Sequence, residues 1–178
     1  AAAAPPKGED AVLVAVQAAL AEQPGVLPVT RAMSFFGEHS LGWLAIAGIG
    51  AVLSKRRRSQ WVAAGVGTFA AHAAAVVIKR IVRRTRPDHP AIAVNVGTPS
   101  KLSFPSAHAT STTAAAMLIG RAAGLPPGVL PAVLVPPMAL SRMVLGVHYP
   151  SDVATGVVVG ATVASVTRRV SGRIGGNR

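Results

Sequence analysis

The strongest constraint in this chain is a series of uncharged apolar stretches, each closed by arginine or lysine. Residues 59–78 form a full run of this kind and stop at Lys79-Arg80. A bilayer core about 30 Å thick takes roughly 20 helical residues, so this run is long enough to cross it. Residues 40–54 end at Lys55-Arg56-Arg57-Arg58 and span the core once Glu38 and His39 sit in the headgroup layer. Residues 102–120 and 122–141 follow, divided by Arg121 and the helix-breaking stretch Gly124-Leu125-Pro126-Pro127-Gly128. Residues 153–167 close at Arg168-Arg169. The apolar positions run continuously instead of alternating, which predicts helices and excludes barrel strands. Charged residues make up only 13% of the chain, with a net charge of +12 and a mean hydropathy of +0.47. That balance excludes a disordered polyelectrolyte and argues against a soluble enzyme.

The expected fold is an all-α polytopic membrane helix bundle of about five spans, or six if the N-terminal segment inserts. Residues 10–36 are interrupted by Glu22, Pro24, Pro28 and Arg31. They read as helical pieces at the membrane interface, so the expected division is an interfacial segment over 1–36 and a transmembrane domain over 37–178. The chain has no cysteine, so neither a disulfide framework nor a thiolate site is available. With these spans, residues 79–106 and 142–152 emerge on one common membrane face. The basic flanks, the tail with Arg178 included, cast a weak vote for placing that face outside the cytoplasm of a bacterial cell.

Three clusters share that face: Lys79 with Arg86-Pro87, Pro105-Ser106-Ala107-His108, and Ser141-Arg142 with His148 and Asp152. A phosphate ester carries negative charge that grows on its outer oxygens as the bond breaks, and fixed cations at a partly dry site stabilise it. Lys79, Arg86 and Arg142 suit that task, arginine adding a bidentate grip. Ser106 directly precedes an uncharged helix and reads as its N-cap, which turns the N–H groups of Ala107 and His108 toward an anion. Pro150 suits a first helical position, so Asp152 falls in the first turn of the last span, four residues after His148. A carboxylate at that spacing holds the proton of one imidazole nitrogen and leaves the other lone pair free to attack. His148 is then the candidate nucleophile, Asp152 its support and His108 the acid for the departing oxygen.

The combination Lys-x6-Arg-Pro, Pro-Ser-x-His and Ser-Arg-x5-His-x3-Asp over residues 79–152 resembles the type 2 phosphatidic acid phosphatase superfamily, which shares its site with vanadium haloperoxidases. The resemblance implies a phosphatase without metal or other cofactor, working through a phosphohistidine on His148. His108 would act as acid and then base, and Lys79, Arg86, Ser106, Ala107 and Arg142 would bind the phosphoryl group. The family's usual glycine in the second motif is replaced by Ala107, whose methyl tightens the pocket. The expected partner is a lipid-linked phosphate already in the bilayer. The compact Ala-, Val- and Arg-rich chain is similar to an actinobacterial branch acting on decaprenylphosphoryl-5-phosphoribose in cell-wall arabinan synthesis. Polyprenyl diphosphate and phosphatidic acid or phosphatidylglycerol phosphate stand as alternatives, and a non-catalytic basic scaffold for anionic lipid is the competing reading from another class.

The other polar residues have plainer readings. Arg80, Arg83 and Arg84 read as a solvated stop-transfer cluster on lipid phosphates, and His72 as a neutral histidine hydrogen-bonded between helices. Trp43 and Trp61 read as interfacial anchors. Gly156-x3-Gly160 reads as a small-residue contact, within the bundle or across a homo-oligomer. Nucleic acid is excluded as a partner, because the chain has one Tyr and four Phe and so no stacking platform beside its basic residues.

Overall fold

In a computed structural model, which describes residues 4–176, the regular secondary structure of the described residues is helical apart from one isolated bridge between Thr85 and Leu102. Arg178 of the basic tail lies outside the described residues. Seven α-helices follow in order: α1 (Glu9–Leu20), α2 (Val26–Gly37), α3 (Leu41–Leu53), α4 (Arg58–Val82), α5 (Ala107–Ala123), α6 (Val129–Val144) and α7 (Pro150–Gly176). Three stretches are long and apolar enough to cross a membrane, Val26–Leu53, Lys55–Val82 and Pro150–Arg173, and Val129–Val144 is a shorter apolar helix. The first of these joins α2 to α3 across a break at His39 and Ser40, both at positive φ (48° and 63°).

The bundle is organised around α5. Its Ala, Thr, Ser and Gly residues are buried along most of their length, and it packs against α4, α6 and α7. Small side chains let backbones approach closely where lipid supplies no hydrophobic drive between helices. Gly156 and Gly160 of α7 do this directly. A Cβ at Gly156 would stand 2.7 Å from the Ser106 carbonyl oxygen, and one at Gly160 would strike the Thr110 carbonyl. The Gly-x3-Gly pattern is thus spent inside the bundle, on α5. Large apolar residues face outward instead, among them Ile49, Leu53, Phe69, Val133 and Val158, as a lipid-facing surface requires.

Two expectations are corrected here. Trp43 is not an interfacial anchor: it is 6% exposed, belongs to the core with Ala71, Ala114 and Leu118, and donates its indole N–H to Thr112 Oγ1 (3.2 Å). A buried indole needs such a partner. Of the apolar run over 102–120, only the part from Ala107 is helix, as the N-cap reading of Ser106 requires, and Leu102 and Ser103 pair back on the preceding loop. Ser103 N–H donates to the Arg84 carbonyl (2.8 Å) and Arg86 N–H to the Lys101 carbonyl (3.2 Å).

Candidate active site

Each motif is delivered by an element end. Lys79 leaves the last turn of α4, and Arg86 sits in the loop beyond it. Ser106 is the N-cap of α5, its hydroxyl accepting from Ala109 N–H (3.3 Å). Arg142 lies in the last turn of α6, His148 in the connection to α7, and Asp152 in the first turn of α7. The second and third motifs are also tied by backbone, since Ser106 N–H donates to the Asp152 carbonyl (3.0 Å).

Lys79, Arg86, Ala107, His108, Arg142 and His148 line one cavity of about 410 Å³, so both imidazoles serve the same space. Ser106 and Asp152 stand behind that wall, each fully buried. Three cations are held by the backbone and side chains around them. Lys79 Nζ donates to the Leu102 carbonyl (2.9 Å), and Arg86 donates to the carbonyls of Ser100 (2.8 Å) and Val147 (2.7 Å). Arg142 is 2% exposed; its Nη1 donates to Ser34 Oγ (3.2 Å), and its Nη2 has no partner. An unpaired guanidinium N–H in such a place is costly unless an anion completes it.

The tautomer of His148 follows from its neighbours. Arg86 Nη1 lies 3.2 Å from His148 Nε2, and a guanidinium can only donate, so Nε2 presents its lone pair. The ring proton is then on Nδ1, which faces Asp152 Oδ2 at 3.7 Å. That separation is an electrostatic pairing, longer than a formed hydrogen bond. Burial pushes the His148 pKa down to about 3, against the pull of Asp152 and reinforced by Arg86, Lys79 and Arg142. The ring is therefore neutral, the form in which a nitrogen can attack phosphorus. Burial likewise brings Arg86 down to about 10, opposed by Asp152. His108 Nε2 lies 2.9 Å from the Ser34 carbonyl, an acceptor, so this nitrogen carries a proton.

Several groups around the site lie outside the three motifs. Asp152 is oriented by Arg84, whose Nη1 donates to Oδ1 (3.0 Å), and by Tyr149 N–H, which donates to Oδ2 (2.8 Å). Arg84 also donates to Glu9 Oε2 (2.7 Å) and stacks over Tyr149, its guanidinium carbon 4.0 Å from the ring centre. Glu9 in turn accepts from Ser151 N–H (2.8 Å) and Ser151 Oγ (3.0 Å). Arg84 is thus no stop-transfer cation; it is the outer partner of the carboxylate behind His148. His72 too departs from expectation: its Nδ1 is sealed without a partner and the residue lines the cavity beside His39. Ser34 holds Arg142 by its hydroxyl and His108 by its carbonyl, although α2 shares no motif. The spacing of Glu9 and Asp10 ahead of an apolar helix was the only trace of α1's role, and nothing local marked Ser34.

Residues 60–175 match the family model described as the PAP2 superfamily. The chain belongs to the PAP2 superfamily. Curated relatives agree. Decaprenylphosphoryl-5-phosphoribose phosphatase of Mycobacterium tuberculosis (strain ATCC 25618 / H37Rv) is 66% identical over 167 residues, covering 94% of this chain and 93% of the relative. The protein of the same name from Mycolicibacterium smegmatis is 70% identical over 151 residues, 85% of this chain and 82% of the relative. Among solved structures, the PAP2 type phosphatidylglycerolphosphate phosphatase of Bacillus subtilis superposes with a TM-score of 0.70 at 21% identity, covering 92% of this chain and 86% of that one. Aquifex aeolicus LpxE gives 0.68 at 16% identity, covering 89% and 93%. This PAP2 protein is an integral-membrane phosphatase, and the non-catalytic scaffold reading is set aside.

Proposed function

We propose that the protein removes the 5-phosphate of decaprenylphosphoryl-5-phosphoribose through a phosphohistidine on His148. The substrate follows from the relatives that carry this activity in their names at 66–70% identity over most of both chains. The observation that carries the mechanism is the sealed His148, whose Nε2 lone pair faces the cavity wall formed with Arg86. Arg86, Arg142 and Lys79 hold the phosphoryl oxygens, with the N–H groups of Ala107 and His108 at the start of α5.

In the first step Arg86 Nη1 passes its hydrogen bond from His148 Nε2 to a phosphoryl oxygen, and the freed Nε2 lone pair bonds to phosphorus as the phosphorus–oxygen bond to C5 of the ribose breaks. His108, protonated when the anionic ester is in place, passes a proton to the departing oxygen. Its Nε2 is pinned by Ser34, so the free nitrogen does this. Asp152 balances the charge that develops on the His148 ring. In the second step His108 takes a proton from water, the oxygen attacks phosphorus, and the phosphorus–nitrogen bond breaks to give inorganic phosphate and the neutral ring. Ser106 acts as the cap that aims α5 at the phosphate.

The lipid enters from the bilayer, past the exposed Phe35 at the cavity rim. Helix α1 lies at the membrane interface, where it meets the end of α6 and the start of α7. The site opens on the extracytoplasmic face of the cell membrane, opposite the Lys55–Arg57 cluster.

Phosphate release by purified protein, against a panel of prenyl-linked and glycerolipid phosphates, tests the reading. The prenyl-linked phosphoribose is expected to turn over fastest, and His148→Ala to abolish release while leaving the protein folded in detergent. Faster hydrolysis of a glycerolipid phosphate would overturn the substrate, and retained turnover in His148→Ala the nucleophile.

A further inference from the structure

A second cavity is larger than the one that holds the histidines. It lies at the other end of the bundle, about 690 Å³ in volume, between the start of α4, the end of α5, the start of α6 and the late turns of α7. Arg57, Arg121 and Arg168 line it with Gln60, and Met117 and Leu130 form its apolar wall. A volume of this size is in the range of small-molecule sites.

Charge separates this end from the rest of the molecule. The chain has six acidic side chains, Glu9, Asp10, Glu22, Glu38, Asp88 and Asp152. Glu9, Glu38, Asp88 and Asp152 belong to the catalytic end, Asp10 to the helix packed there and Glu22 to the turn that follows that helix. Lys55 to Arg58, Arg121, Arg168, Arg169 and Arg173 at the far end therefore face no side-chain carboxylate, and every ion pair among the described residues lies around Asp152. Arg57 is also held in place. Its Nη1 donates to the Ala122 carbonyl at the end of α5 (3.4 Å), and it lies across Gly124, at φ 79°, where any Cβ would collide with the guanidinium. Gly124 thus admits the arginine as well as ending the helix.

We propose that this cavity is a binding site for an anionic phospholipid of the leaflet opposite the active site. Its phosphodiester sits among Arg57, Arg121 and Arg168, and the first methylenes of its acyl chains lie on Met117 and Leu130. A lipid fits better than a dissolved anion because the cationic rim sits at a span end and continues into an apolar wall. Such a lipid clamps the ends of α4, α5 and α7 together, and binding only the folded state raises its stability.

The test uses the full-length protein in neutral detergent and compares retention of phosphatidylglycerol with that of phosphatidylcholine by native mass spectrometry. Thermal unfolding with each lipid is followed in parallel. Phosphatidylglycerol is expected to be retained about tenfold better and to raise the melting temperature. Arg57→Gln/Arg121→Gln/Arg168→Gln is expected to lose both effects while keeping phosphatase turnover. Arg56→Gln/Arg169→Gln/Arg173→Gln, equal in charge change but outside the cavity, is expected to keep them. Equal loss in the two triple variants would mean diffuse charge and overturn the site. So would equal retention of phosphatidylcholine, or displacement of phosphatidylglycerol by millimolar inorganic phosphate, which would make it a site for a dissolved anion. Should the cavity triple variant fail to fold, Arg121→Gln alone decides, with partial loss of selectivity supporting the site and unchanged selectivity refuting it.

Discussion

Removing Arg84 is the sharpest test of how the carboxylate behind His148 is held. In Arg84→Ala, Asp152 Oδ1, on a side chain that is 0% exposed in the intact protein, loses the guanidinium that donates to it at 3.0 Å. Tyr149 N–H still serves Oδ2. One sealed carboxylate oxygen is thus left without a partner, a cost of about 1–3 kcal/mol in stability. The pair with Glu9 adds little, because both side chains are about one-third exposed (31% and 35%) and solvent screens them. The kinetic effect is larger in consequence. Outer partners that orient metal-binding histidines cost roughly 10–100-fold when removed, and the same magnitude carried over to the carboxylate behind His148 is about 1.4–2.7 kcal/mol of transition-state stabilisation. Phosphate release in detergent, with kcat and KM resolved, is expected to show this loss in kcat and little change in KM, since Arg84 does not line the cavity. Glu9→Gln is expected to cost less alone, and in the Arg84→Ala background to add only what its bonds to Ser151 supply, since its other partner is the same guanidinium. A kcat within twofold of the parent in a folded Arg84→Ala protein would refute the role assigned here.

Three other outcomes are expected. With the His148 pKa near 3, the unliganded ring stays neutral as pH falls while His108 gains its proton along with the ester, so kcat/KM corrected for the substrate's own ionisation rises as pH falls from 7 to about 5; a fall in kcat/KM centred near pH 6.5, as a free imidazole nucleophile would give, would contradict this. Ser34→Ala frees Arg142 Nη1 but leaves the carbonyl on His108, so KM rises by about three- to tenfold with kcat held, as steady-state kinetics will show. Orthovanadate, which takes up five-coordinate geometry, inhibits competitively with the lipid, and activity survives EDTA; dependence on an added divalent ion would count against the phosphohistidine route.

What the sequence reveals and what it hides divide along physical lines. Uncharged runs ending in a basic residue mark spans because the bilayer excludes charge, and α3, α4 and α6 lie within those runs or a few residues beyond them, whereas α7 continues through Arg168-Arg169 to Gly176. The motif residues stand out in the sequence because residue types, order and spacing agree, and the fold brings them to one cavity or directly behind its wall. Trp43 was misread because hydropathy does not distinguish a side chain against lipid from one against helix. Arg84 was misread because arginines in a basic run look alike until the fold shows which one a carboxylate meets. Glu9, Gln17 and Ser34 were invisible as partners, each acting across a long stretch of chain. Gln17, for example, donates to the carbonyls of Ala93 (2.7 Å) and Val144 (3.0 Å) and accepts from Ala93 N–H (3.0 Å).

The near-touching backbones of α5 and α7 set the tolerance of the chemistry. Ser106 and Asp152 are joined main chain to main chain, and Gly156 leaves no gap against the Ser106 carbonyl. An alanine at 156 or 160 would act as a wedge, widening the gap between the two imidazoles without touching either. Variation that the lipid-facing surface absorbs freely is therefore closed to this seam, where one methyl group alters the gauge of the reaction.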